Sequence, residues 1–229
     1  MTSAKCMQGD QRTATPFVGG WCGALCIDMR NPVRRNKNMG KTQGGRVKDG
    51  RASEKWSRMF PENKWQQISN GNLIWQTFVE NPSKNYYHPC KPEDYLEVLQ
   101  RLPARHTIGV KGIILRRIPK RDLKLGIDAW RRWSCIIMNC FPLSKRYVYS
   151  RKPPESVFTF YEPFCSNWME ENDSWILNWD DEGVRRYYLY HVFLHELGHI
   201  FDKRSTSQIK REKYADSFAR DMAESLGER

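Results

Sequence analysis

The amino-acid sequence predicts an α+β domain in which a small antiparallel or mixed sheet packs on two C-terminal helices, with a basic N-terminal extension. Three observations carry this expectation. Between residues 108 and 179, short apolar and β-branched runs alternate with proline-containing breaks. Residues 183–226 instead place their apolar positions at helical spacing. A composition of 39% apolar and 13% aromatic residues gives the 229-residue chain enough material for a sizeable core and argues against disorder over most of its length.

Taken in order, residues 1–55 read as a basic, poorly ordered arm: rich in Gly, Asn, Lys and Arg, with no sustained period. One apolar island, Phe17 to Ile27, interrupts it and is expected to pack on the main domain. The island holds Cys22 and Cys26, whose spacing lacks the matching second pair that a zinc knuckle needs. Residues 56–229 form the expected folded domain. Pro92, Glu93 and Asp94 open a helix whose apolar face is Tyr95, Leu96, Val98, Leu99 and Leu102, and Pro103 stops it. Strands are expected within 108–118 and at 135–138, 147–149, 157–161 and 175–179, and their short spacing favours antiparallel pairing. Asp180 and Asp181 supply the N-cap and first-turn charge for a helix over 183–204. Ser205, Thr206 and Ser207 form a break and offer the N-cap of a second helix over 208–226, closed by Gly227.

Composition removes several classes. No apolar run approaches the roughly 20 residues of a membrane span, and Met1 to Asp10 lacks the basic and apolar regions of a secretory signal, so a cytoplasmic protein is expected. Seven cysteines then read as free thiols rather than a disulfide framework. The net charge of +12 is uneven: residues 101–155 carry 14 Lys and Arg against 3 Asp and Glu, whereas residues 156–229 carry 9 against 14. The basic stretch, with Trp130, Arg131, Arg132 and Trp133 interleaved, makes nucleic acid a conceivable partner, beside the blander reading of a solvated face.

The sharpest signal is His195-Glu196-Leu197-Gly198-His199. Residues four apart lie above one another on a helix, so both imidazoles can bind one metal ion from the same face. Glu196, rotated about 100° from His195, falls beside that ion, where it can take a proton from a metal-bound water without being a ligand. A catalytic zinc needs a third protein ligand and an open position. No His follows His199. Glu212 and Asp216, four apart on the second helix, share a face with Ala219 and Ala223. One of these carboxylates can ligate the metal while the other accepts the free ring N–H of a ligand histidine. His191, one turn before His195, reads first as a satisfied, partly buried histidine and second as an oxyanion stabiliser. Tyr161 and Tyr214 are further candidates for that role.

The segments Phe193 to His199 and Glu212-Lys213-Tyr214-Ala215-Asp216-Ser217-Phe218-Ala219 resemble the zincin metallopeptidases of the gluzincin type, most closely ImmA/IrrE-like peptidases, with a similar second helix in the lethal-factor-like group. The resemblance covers residues 183–226 and none of the first 150. It implies Glu212 as third zinc ligand, Asp216 as hydrogen-bond partner of a ligand histidine, and Ala215 and Ala219 as small residues that let two helices approach closely. It also implies that the strand before the active helix, here 175–179, borders a cleft where peptide adds as a β-strand. A zinc-dependent endopeptidase with one zinc per chain and Glu196 as general base is therefore the expectation, with a protein or peptide substrate and no membrane. The rivals are a nucleic-acid-binding or regulatory protein with a structural metal, and a toxin or effector peptidase with one protein target.

Overall fold

The computed structural model describes residues 52–70, 72–165, 167–202 and 207–228. The Phe17–Ile27 island, Cys22 and Cys26, and nearly all of the expected arm lie outside the described residues. Helix α1, Ala52–Met59, begins inside the stretch read as arm. Its Trp56 and Met59 pack against a small apolar cluster of Phe60, Phe78, Ile114, Cys135 and Ile137.

The described residues form an α+β fold around a five-stranded mixed sheet. Strands β1 (Gln66–Asn70) and β2 (Leu73–Val79) pair antiparallel. The short strand β3 (Tyr86–Tyr87) and helix α2 (Pro92–Arg101) then lead to β4 (Gly112–Arg116). Helix α3 (Lys120–Leu125) leads to β5 (Ala129–Arg132), which turns back into β6 (Cys135–Asn139). The strand order is β1-β2-β4-β6-β5. β2, β4 and β6 are parallel, and β5 runs antiparallel to β6 at the edge. Close spacing in sequence favoured antiparallel pairing throughout, but the stretch holding β3 and α2 crosses over to set β4 parallel to β2, and after α3 the reversal of β5 into β6 sets β6 parallel to β4. Burial at each residue of β4 and β6 follows from this placement. Central parallel strands are covered on both faces and so read as continuous apolar runs.

Two smaller sheets flank this one. β3 pairs with β7 (Phe141–Pro142). Strands β8 (Arg146–Tyr149), β9 (Asn167–Glu171) and β10 (Ser174–Asn178) form an antiparallel sheet in the order β8-β10-β9. Two expectations fail here. Residues 157–161 are not a strand but lie in helix α4 (Glu155–Tyr161), because Pro154 stands at the N-cap and Glu155 supplies first-turn charge. β10 is the central strand of its sheet, so both of its edges are already paired and no peptide can add alongside residues 175–179.

A helical run then crosses the core: α5 (Asp181–Tyr187), a π-helical stretch Tyr188–Phe193, and α6 (Leu194–Phe201). The Asp180 carboxylate caps it, accepting from the Gly183 N–H at 2.6 Å. The run ends at Phe201, short of the expected 204. Ser207 caps helix α7 (Gln208–Ser225), accepting from Lys210 N–H at 3.3 Å, and Gly227 takes the left-handed conformation (φ 74°) that closes such a helix. α7 packs along α6, while α6 also touches the edge strand β5. The main core, with Ile113, Ile136, Phe193, Leu194 and Leu197, lies between this helical layer and the sheet. The described cysteines Cys90, Cys135, Cys140 and Cys165 are free thiols, and no described helix is long and apolar enough to cross a membrane.

Candidate metal centre

Leu194 and Leu197 are fully buried and seat α6 in the core, which fixes the rotation of the helix about its axis. His195 and His199 consequently emerge on one side, with ring centroids 4.6 Å apart. α7 brings Glu212 onto them: its Oε2 lies 3.3 Å from Nε2 of His195 and 3.3 Å from Nε2 of His199. The close approach depends on small residues. A Cβ added to Gly198 would lie 3.0 Å from Cα of Ala215 and 3.1 Å from Cβ of Phe218, and Ala215 and Ala219 are fully buried at the contact.

His195, Glu196 and Glu212 are buried polar groups, and burial without partners is costly. Nε2 of His195 and Oε2 of Glu212 nevertheless have no hydrogen-bond partner among the described residues; their 3.3 Å contacts miss hydrogen-bond geometry. Three ligand atoms held by tetrahedral bonds of about 2.0–2.2 Å stand roughly 3.3–3.5 Å apart. The 3.3 Å separations match that spacing, and the two buried, unpartnered atoms are the ones that would face the ion. Glu196 completes the group: its carboxylate lies within 4.8 Å of the ligand nitrogens of both histidines. These residues can hold a divalent metal ion.

The surroundings orient the ligands. Nδ1 of His195 lies 2.8 Å from Oδ1 of Asp216, to which it donates, leaving Nε2 to face the site. Gln208, one turn before Glu212, donates through Nε2 to Oε1 of Glu212 and so turns Oε2 inward. Electrostatics follow the same geometry. Burial alone would lower the His195 imidazolium, but Asp216 and Glu212 outweigh it and hold the group up to about 10. Burial would raise the Glu212 carboxyl, but its contacts to His195 and His199 bring it down to about 2. A cation is thus favoured where the three side chains meet, and a metal must displace a proton from His195 to bind. Burial raises the Glu196 carboxyl above the usual carboxylate range, opposed by the charges of His195, His199 and Arg131.

His191 is half-buried, with its ligand nitrogen within 4.8 Å of the ligand atoms of His195 and Asp216. Its ring stacks on Tyr187 (centroids 5.6 Å apart, 12° between planes), and burial beside the charge of His195 lowers it to about 3, so it stays neutral. Tyr161 is fully buried among Tyr147, Trp179 and Tyr187, separated from His195 by the rings of Tyr187 and His191. Tyr214 is 41% exposed and lies over Phe218. Sequence reasoning missed Gln208, although its position four residues before Glu212 is a helical-neighbour signal. It also missed β5 as the strand beside α6. Compared with known proteins, the chain matches no protein-family model, no curated protein and no solved structure.

Proposed function

We propose that this chain is a zinc-dependent endopeptidase of the zincin-like, gluzincin type. The observation that carries the reading is the meeting of His195, His199 and Glu212 at 3.3 Å with the buried Glu196 carboxylate beside them. Two imidazoles and one carboxylate are the donor set of a catalytic zinc with an open position. Bound there, zinc would supply Lewis acidity toward a peptide carbonyl and lower the pKa of a water.

The rest of the chemistry belongs to the chain. Glu196 takes the proton of the attacking water and then delivers it to the departing amine, a role suited to a carboxyl raised by burial. Asp216 keeps the His195 ring in one tautomer and orientation, and Gln208 keeps Glu212 aimed inward.

Substrate lies along β5, which replaces 175–179 as the docking strand. β5 ends the sheet order and touches α6. Asn139 N–H donates to Asp128 C=O at 2.8 Å, so the pairs that bond across to β6 continue as Trp130 with Ile137 and Arg132 with Cys135. By antiparallel alternation the N–H and C=O of Ala129 and Arg131 point to the open edge, where an extended peptide can pair. The test is Glu196→Gln, which should retain zinc and lose hydrolysis of an unfolded protein substrate by 100-fold or more, within the usual effect of removing a general base (about 10²–10⁴). Retained hydrolysis in that variant refutes the mechanism.

A further inference from the structure

The same strand that offers backbone to a peptide also carries charge at the site. On β5, Ala129 is buried toward the helical layer, where it belongs to the main core. Arg131, two residues on, projects from the same face. It is exposed, on a strand that touches α6, the helix that carries Glu196. Arg131 therefore stands on the side of β5 that meets the metal-site helix, on the residue whose backbone N–H and C=O face the open edge. Arg132 is engaged on the other face of the strand, over the rings of Trp133 (4.7 Å) and Trp56 (5.9 Å), which leaves Arg131 as the β5 cation turned to the centre.

From this juxtaposition we infer that the site selects extended peptides with an acidic side chain at the position lying across from Arg131. The inference rests on the peptidase reading and adds its substrate class. A strand docked on β5 places one residue directly opposite Arg131, with the two side chains on the same face and close enough to interact. Opposite charges there attract and like charges repel. The 101–155 segment, to which β5 belongs, carries 14 Lys and Arg against 3 Asp and Glu, a balance that favours acidic partners by long-range attraction.

The experiment uses zinc-loaded full-length protein carrying Glu196→Gln, so that peptide binds without being cleaved. Two end-blocked fluorescent peptides of equal length, with Glu or with Lys at alternate positions in an otherwise uncharged sequence, are titrated by anisotropy at low salt. The Glu peptide should bind about 5-fold tighter or more, the ratio falling to about 1 with Arg131→Ala and reversing with Arg131→Glu. Equal binding of both peptides overturns the charge selection and leaves the β5 docking reading intact. A preference that survives Arg131→Ala assigns the selection to other residues and also overturns it. If neither peptide binds although zinc is present, the docking reading and the inference fall together. A single-stranded oligonucleotide that displaces the Glu peptide and loses affinity with Arg131→Ala would identify the surface as a nucleic-acid site instead.

Discussion

Replacing Gly198 by alanine adds one methyl group at the tightest point between α6 and α7, and the structure allows its effect to be worked through. The new Cβ meets Cα of Ala215 at 3.0 Å and Cβ and Cδ1 of Phe218 at 3.1 and 3.2 Å. Ordinary carbon contacts lie at about 3.5–4.0 Å, so the helices must separate by roughly 0.5–1 Å. Overpacking of this kind costs about 1–3 kcal/mol. The better helix propensity of alanine returns about 1 kcal/mol, for a net loss near 1 kcal/mol and a fall in Tm of about 2–4 °C. Metal binding should suffer more. Glu212 lies three residues before Ala215 on the helix that is pushed away, and metal–ligand distances tolerate only about ±0.2 Å. Zinc affinity, measured by competition with a chromophoric chelator, should fall about 10-fold or more while the fold survives. Unchanged affinity together with an unchanged or higher Tm would show that the α6–α7 spacing does not set the site.

Two further changes probe what orients the ligands and what lies beneath them. Asp216→Asn should weaken zinc binding by about 10–100-fold without abolishing it, because Glu212 and both histidines remain; a loss as complete as that from Glu212→Ala would make Asp216 a ligand instead. Burial raises the Asp128 carboxyl to about 6 despite hydrogen bonds from Tyr187 and Tyr147, so the folded protein keeps a proton that the unfolded chain, near 3.8, has released. That contribution to stability is complete below pH ~4 and is lost as pH rises through about 6, a change of about 3 kcal/mol at most. The difference in unfolding free energy between wild type and Asp128→Asn, followed by denaturant titration from pH 4 to 7, should shift in that direction, and a pH-independent difference would refute the assignment.

Much of the centre was readable from local spacing. The four-residue separation of His195 and His199 and of Glu212 and Asp216 needs only helix geometry to predict shared faces, and both pairs come together as expected. α2 and α7 were framed by Pro92, Ser207 and Gly227, whose backbone preferences act locally. What failed had one local cause and others that lie in contacts distant in sequence. Residues 157–161 alternate enough to pass for a strand, and only the capping by Pro154 and Glu155 separates the outcomes. β5 reads Ala-Trp-Arg-Arg, more like a cationic surface than a sheet edge, because its identity comes from pairing with β6 and from contact with α6. The strand proposed for docking differs from the expected one for the same reason: 175–179 adjoins the helix in sequence, whereas 129–132 touches α6 in space. Gln208 was legible from its place four residues before Glu212 but was passed over, whereas the place of Arg131 follows only from the pairing of β5.

The central claim, that His195, His199 and Glu212 hold a zinc ion, is tested most directly by elemental analysis of the purified chain beside Glu212→Ala. The wild-type chain should carry about one zinc and the variant almost none, with both proteins folded by circular dichroism. Wild-type protein that carries no zinc and takes up none when it is supplied, or a Glu212→Ala variant that retains a full equivalent, would contradict it.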